Sequence, residues 1–181
     1  YLSDHGSLFR TLALNARGYP PSDVPETADA YGWKENRDDV IALLDNLQIE
    51  KAHMVGLSMG GYIALMLGLA APERCLSVVC ASGGSGAHPP TREAFIQDSF
   101  TSAERILKDR QIPAEGMASA PNRIQLKHKN EPAWQKFRKH LSDRPYLGAA
   151  YTLSEVQAKR PSLHDFADQL TRLTLPVLLL C

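Results

Sequence analysis

The sequence predicts an α/β protein with a mostly parallel sheet, flanking helices and an inserted helical region. Three observations support this fold class. A strand, a sharp turn, a helix and a second strand follow one another between Lys51 and Ala81. Residues 91–163 then lack the alternation of strands and are broken by prolines. An apolar run at residues 176–181 follows, which predicts another strand of the same sheet.

The composition is that of an ordinary globular chain. The 181 residues are 44% apolar and 22% charged, which is enough for one domain with a sizeable core. The formal net charge of +0 gives no indication of nucleic acid or an anionic membrane as a partner. No apolar run approaches the length that spans a membrane. Domain boundaries are expected at 1–84 (first part of the core), 85–162 (helical cap) and 163–181 (return to the core, with the strand at 176–181).

Cys75, Cys80 and Cys181 are the cysteines of the chain. Cys75 and Cys80 lie near the two ends of one predicted strand, and five extended residues span about 16 Å, which is beyond the reach of a disulfide. We therefore expect buried, reduced thiols, which favour a cytoplasmic location.

The N-terminal part is predicted to alternate between helix and strand. Tyr1–Asp4 has the character of a helix end with Gly6 as its cap, which places His5 on the surface. Arg10–Ala16 is predicted to be a short strand, followed by a loop in which carboxylates such as Asp23 are solvated. An amphipathic helix is expected from Trp33 to Leu47. Its apolar face consists of Val40, Leu43, Leu44 and Leu47. The short apolar strand that follows, Lys51–Gly56, is expected to be buried, as strands of a parallel sheet are.

The turn between the two central elements carries the pattern Gly-x-Ser-x-Gly, at Gly56-Leu57-Ser58-Met59-Gly60. Between a strand and a helix, this pattern is typical of a nucleophile elbow, which holds the serine in a strained conformation with its hydroxyl projecting from the sheet. We expect a Cβ at Gly56 or at Gly60 to collide with the neighbouring turn, and Gly61 to let the helix approach the strand. The alternative is a glycine-rich turn with a bystander serine.

Several segments together resemble the α/β-hydrolase superfamily. Arg17-Gly18-Tyr19 and the strand before it resemble that family's fourth strand and loop, and His53–Gly61 its fifth strand and elbow. Ala71-Pro72-Glu73-Arg74 and the apolar residues after it resemble the approach to the sixth strand. Leu173–Leu180 resembles the approach to the seventh.

The resemblance implies that Ser58 is the catalytic nucleophile and that the backbone N–H of Met59 is one oxyanion-hole donor. It also implies that residues 85–162 form a helical cap over the nucleophile. In this family the catalytic acid follows the seventh strand and the histidine follows the eighth, so both are expected beyond residue 181. The second oxyanion donor is expected before residue 1. The family's third strand would also precede Tyr1, and without it the strands at Arg10–Ala16 and Lys51–Gly56 would have unpaired edges.

Other polar residues receive simpler interpretations. His53, on the elbow strand, is expected to be a core or strand-edge histidine, because a base for Ser58 must approach from beyond the carboxyl edge of the sheet. The six histidines lack the spacing of a zinc site, and no cofactor or metal is predicted. A cationic cluster is expected on the outer face of the cap, although it could instead attract an anionic substrate. This cluster comprises Lys127, His128, Lys129, Lys136, Arg138, Lys139 and His140.

The leading hypothesis is a serine hydrolase that cleaves a small carboxylic ester, lactone or amide through an acyl-enzyme on Ser58. Carbon–carbon bond hydrolysis, perhydrolase chemistry and lyase chemistry on the same fold are alternatives. A non-enzymatic ligand-binding member of the family is a further alternative. A small molecule is the expected partner in each case.

Overall fold

The computed structural model describes residues 9–121 and 123–181. Its sheet has the order β1-β2-β3, where β1 is Ala52–Leu57, β2 is Cys75–Ala81 and β3 is Val177–Leu180. Both pairings are parallel, with Met54 opposite Val78 and Val78 opposite Val177. The predicted parallel sheet is confirmed. The predicted bounds of β2 are reproduced, while β1 begins and ends one residue later than predicted.

Two helices lie on one side of this sheet. Helix α1 is Trp33–Asn46 and helix α2 is Met59–Ala70. Residues of both helices form one hydrophobic cluster with β1 and β2, in which Leu44, Met54 and Val78 are buried. Helix α2 is rich in strong helix formers and is buried from Gly61 to Gly68. It ends at Ala70, and its C-cap Ala71 immediately precedes Pro72. Helix α1 confirms the predicted amphipathic helix and ends one residue earlier than predicted.

The segment between β2 and β3 is helical, as predicted. It contains α3 (Pro89–Asp109), α4 (Ala114–Ala118), α5 (Ile124–Lys129), α6 (Glu131–Ser142), α7 (Tyr146–Tyr151) and a π-helical turn (Thr152–Gln157). Prolines precede or begin several of these helices: Pro113 and Pro145 immediately precede α4 and α7, and Pro132 lies in the first turn of α6. Proline is tolerated there because the first helical N–H groups have no intrahelical acceptor.

The chain returns to β3 through a 3-10 turn at Leu163–Phe166 and helix α8 at Ala167–Thr171. Ser162 caps this turn: its hydroxyl accepts a hydrogen bond from the N–H of His164, and Asp165 accepts one from the N–H of Ser162. The reciprocal pair fixes the direction in which the chain re-enters the core.

The helical segment has its own hydrophobic clusters. Ala103, Ile106, Ile112 and Ala150 form one of them, and Ala114, Ala118, Trp134 and Leu141 form the other. In the second cluster, the indole Nε1–H of Trp134 donates a hydrogen bond of 2.9 Å to the carbonyl of Ala118. The segment therefore has packing of its own and does not depend only on contacts with the sheet.

The helical segment meets the N-terminal loop through two glycines. A Cβ added to Gly148 would lie 2.0 Å from the carbonyl oxygen of Gly18, so the two backbones are in direct contact. Beside this contact the rings of Tyr31 and Tyr151 pack with centroids 5.3 Å apart. Arg17 is held in the same loop by an ion pair of 2.6 Å with Asp39 of α1.

Three sequence predictions need correction. Arg10–Ala16 is not a strand: residues 9–16 have no ladder partner among the described residues, and Leu12 and Leu14 are exposed. The elbow strand is not buried throughout, since Val55 is 75% exposed and only Met54 is buried, because the helices cover one face of the sheet. Cys181 is exposed, whereas Cys75 and Cys80 are buried free thiols as predicted. The expectations for Tyr1–Asp4, His5 and Gly6 fall outside the described residues.

Candidate active site

Ser58 is the single residue between the end of β1 and the start of α2. Its φ of 54° and ψ of −116° lie in a region that non-glycine residues rarely adopt. Its N–H donates a hydrogen bond of 2.8 Å to the carbonyl of Ala81, at the end of the neighbouring strand β2. The corner is therefore held by the sheet on one side and by the helix on the other, and Ser58 itself is exposed.

The glycines around this corner have different roles. A Cβ on Gly56 would lie 2.1 Å from the carbonyl oxygen of Gly60, which confirms the predicted steric requirement at that position. A Cβ on Gly60 would meet no atom within 4 Å, so the expectation of a collision there is wrong. At Gly61 a Cβ would lie 3.0 Å from the carbonyl oxygen of Ala81, as expected for a close approach of helix and strand.

The first turn of α2 presents free backbone donors beside Ser58. Tyr62 is the first residue whose N–H bonds within the helix, to the carbonyl of Ser58 at 3.0 Å. The N–H groups of Met59, Gly60 and Gly61 precede it and have no intrahelical acceptor. The helix macrodipole adds positive potential at this end, which favours a developing negative charge. The N–H of Met59 is the first of these donors after Ser58, and its role in an oxyanion hole stays a prediction.

No hydrogen bond joins the Ser58 hydroxyl to another side chain among residues 9–121 and 123–181. His53, on the same strand, is exposed, and its Nδ1 lies 2.7 Å from the hydroxyl oxygen of Ser77 on β2. This arrangement agrees with the expectation of a strand-edge histidine. The loop after β2 begins Ser82-Gly83-Gly84 and supplies no carboxylate.

A cavity of about 1000 Å³ lies among α3, α4 and α6. Its lining includes Arg105 of α3 and, from the predicted cationic cluster, Arg138 and Lys139, but not Ser58. Each of these cations is paired with a carboxylate of the same region: Arg105 with Asp109 at 3.7 Å, Arg138 with Glu115 at 3.0 Å and Lys139 with Asp143 at 2.6 Å. Most of the predicted cationic cluster is exposed, as expected for an outer helical face. The role of residues 85–162 as a cap over Ser58 stays a prediction.

Sequence reasoning did not single out Arg160, which lies close to the elbow helix. It is 2% exposed, and its guanidinium carbon lies 4.6 Å from the ring centroid of Tyr62. Burial lowers the pKa of Arg160, and the neighbouring phenol of Tyr62 opposes this effect. No local sequence pattern marks Arg160, because its partners come from segments far away in the chain.

The described part of the chain contains neither a metal-binding cluster nor a membrane-spanning helix. Within it, no group of three or more His, Cys, Asp or Glu side chains is arranged to hold a metal ion. Over the same residues, no helix combines the length and the apolar character that crossing a membrane requires.

Comparison with known proteins gives consistent matches. The family profile described as the alpha/beta hydrolase fold matches residues 1–181. The chain is 29% identical over 177 residues to 3-oxoadipate enol-lactonase 1 of Acinetobacter baylyi, covering 96% of this chain and 60% of that protein. The structure is similar to a hydrolase from Pseudomonas aeruginosa PA01, with a TM-score of 0.73, 28% identity and coverage of 91% of this chain and 58% of that one. A thermophilic esterase from Thermogutta terrifontis gives a TM-score of 0.71 and 26% identity, with the same coverage of 91% and 58%.

Proposed function

Because this chain belongs to the alpha/beta hydrolase family, we propose that it is part of a serine hydrolase acting on a small carboxylic ester, lactone or amide. The observation that carries the proposal is the backbone of Ser58, which has a φ of 54° at the head of α2 and an exposed side chain. A strained non-glycine residue persists only where its surroundings hold it, and such residues concentrate at functional sites.

In the proposed reaction the Ser58 hydroxyl attacks the carbonyl carbon of the substrate. The carbonyl oxygen becomes an oxyanion and receives a hydrogen bond from the N–H of Met59, supported by the positive end of α2. Collapse of this intermediate expels the alcohol or amine and leaves an acyl group on Ser58, which water then removes. A general base must take the hydroxyl proton, and the bond of His53 to Ser77 speaks against His53 in that role.

The substrate class is inferred from relatives and from the site. The matched Acinetobacter baylyi protein is named as an enol-lactonase and the Thermogutta terrifontis structure as an esterase. Both names describe cleavage of an acyl carbon–oxygen bond, which is the reaction that a serine beside an oxyanion donor performs. The chain covers 60% of the length of the first of these proteins, so the activity is proposed for the whole natural protein. We further propose that the helices between β2 and β3 act as a cap over Ser58.

Labelling by a fluorophosphonate tests the proposal, because this reagent reacts covalently with activated serines. We expect the natural protein to be labelled at Ser58, and Ser58→Ala to abolish both labelling and hydrolysis of simple esters. Ser82→Ala is the matched control, since Ser82 is also exposed, has a φ of 50° and immediately follows the neighbouring strand. Ester hydrolysis that persists in Ser58→Ala would exclude Ser58 as the nucleophile.

A further inference from the structure

The two connections between the sheet and the helical segment are fastened to each other. Three consecutive carbonyl groups in the first connection accept hydrogen bonds from side chains. The pairs are Ser85 with Arg160 Nη2 at 2.7 Å, Gly86 with Arg92 Nη1 at 2.9 Å and Ala87 with Ser162 Oγ at 3.0 Å. Arg92 also donates through Nη2 to the carbonyl of Arg160 at 2.8 Å. We call residues 85–87 and 160–162 the neck.

Arg160 is the buried centre of the neck. Its guanidinium carbon lies 4.6 Å from the ring centroid of Tyr62 and 5.8 Å from that of Phe95. Within the described structure, Arg160 forms no ion pair with a carboxylate, and its buried Nη1 has no hydrogen-bond acceptor. Burying a cation in this way costs free energy that a packed apolar side chain would not cost. The guanidinium, however, packs on the ring of Tyr62 and donates a hydrogen bond to the carbonyl of Ser85 at the same time. An aliphatic side chain could not make both contacts, which favours a role for Arg160 in holding these two groups in place.

Tyr62 connects Arg160 to the elbow. It lies in the first turn of α2 and is 1% exposed, and its N–H bonds to the carbonyl of Ser58. Its hydroxyl donates a hydrogen bond of 3.1 Å to the carbonyl of Pro161, and the ring packs edge-on against Trp33. Tyr62 is therefore joined to the neck through its side chain and to Ser58 through its backbone N–H.

We propose that Arg160 is a positioning residue for Ser58: by packing on Tyr62 and donating a hydrogen bond to the carbonyl of Ser85, it fixes the first turn of α2 and keeps Ser58 in its strained conformation with a positive φ. The inference rests on the proposed function, because it assigns Arg160 a role in the reactivity of Ser58. It also explains why the neck contains a buried arginine rather than an aliphatic side chain.

A double-mutant cycle in the natural protein tests this role. The rate of fluorophosphonate labelling at Ser58 is measured for wild type, Arg160→Met, Tyr62→Leu and the double variant, well below the melting temperature of each. We expect each single change to slow labelling by roughly ten- to a hundredfold, since small misplacements of a reacting group have effects of this size. The double variant should be no slower than the slower single variant, because both changes break the same contact. If the factors by which the two single changes slow labelling multiply in the double variant, Arg160 does not act through Tyr62 and the inference is wrong.

The matched control is Arg123→Met. Arg123 also lies over an aromatic ring, that of Phe137 at 5.9 Å, and donates a hydrogen bond of 3.1 Å to the carbonyl of Met117, but it belongs to the helical segment and not to the neck. We expect it to lower the melting temperature without slowing labelling. If Arg160→Met behaves in the same way, Arg160 is only structural and the inference is wrong.

Arg160→Lys keeps a cation over Tyr62 while removing the planar guanidinium. It replaces Arg160→Met in the labelling experiment if that variant does not fold. We expect several-fold slower labelling, and a wild-type rate would refute the positioning role. The two proposals fail differently: a wild-type protein unlabelled at Ser58 refutes the proposed function together with this inference, whereas normal labelling of both Arg160 variants refutes the inference alone.

Discussion

Gly56 and Gly60 flank the candidate nucleophile symmetrically in sequence but not in space. A Cβ on Gly56 would lie 2.1 Å from the carbonyl oxygen of Gly60, whereas a Cβ on Gly60 would meet no atom within 4 Å. The steric demand of the elbow therefore falls on the strand side. On the helix side, the first turn of α2 leaves the position open.

Gly56→Ala is accordingly expected to be destabilising. The new methyl group would strike backbone atoms, which cannot rotate away, so the free energy of unfolding should fall by about 3 kcal/mol or more. Urea denaturation checks this value. Gly60→Ala is the matched control and should fold normally. Its free energy of unfolding should rise by up to about 1 kcal/mol, because alanine has a higher helix propensity than glycine. Equal losses for the two variants would contradict the geometry.

The buried indole of Trp134 provides a second test, within the helical segment. Trp134→Phe removes the donor to the carbonyl of Ala118, and both residues are buried. An unsatisfied buried carbonyl and a small cavity should together cost about 2 kcal/mol, measured by thermal or urea unfolding. Trp33→Phe is the comparison variant and should cost less, because Trp33 is only partly buried. A loss no larger for Trp134→Phe than for Trp33→Phe would argue against this hydrogen bond.

Sequence patterns predicted those elements whose structure is determined by residues close together in the chain. The strand Cys75–Ala81 and the Ser58 corner follow from apolar runs and glycines within a few residues of each other. Arg10–Ala16 is apolar enough to predict a strand, but a strand also requires a ladder partner, and none lies beside it among the described residues. The Arg160 contacts span 75 residues of sequence to Ser85, so no local pattern could indicate them.

The backbone contact between Gly18 and Gly148 should set the distance between the helical segment and the loop that contains Gly18. Gly148→Ala places a methyl group 2.0 Å from the Gly18 carbonyl oxygen, so the two backbones must separate. We expect a loss of about 1 to 3 kcal/mol in unfolding free energy and faster limited proteolysis of the loop around residues 17–23. Gly116→Ala is the control, because a Cβ there meets nothing within 4 Å. Unchanged proteolysis of Gly148→Ala would show that the contact is dispensable.

Tyr62 should make stability depend on alkaline pH. Burial raises its pKa from the ordinary value of 10 to about 12, against the opposing effect of the Arg160 charge. The folded protein therefore holds the phenol proton more tightly than the unfolded chain. This contribution is fully present below about pH 10 and is lost as the pH rises from about 10 to about 12, with a total of about 2 to 3 kcal/mol.

Urea unfolding across this alkaline range, compared between wild type and Tyr62→Phe, isolates the Tyr62 contribution from other groups that titrate there. Tyr62→Phe should be less stable by about 1 kcal/mol near neutral pH, because it loses the hydrogen bond to the carbonyl of Pro161. Its stability should then fall less steeply with pH than that of wild type, so that the two curves converge and cross at the alkaline end. Parallel curves over the whole range would mean that the Tyr62 phenol ionises as readily in the folded protein as in the unfolded chain.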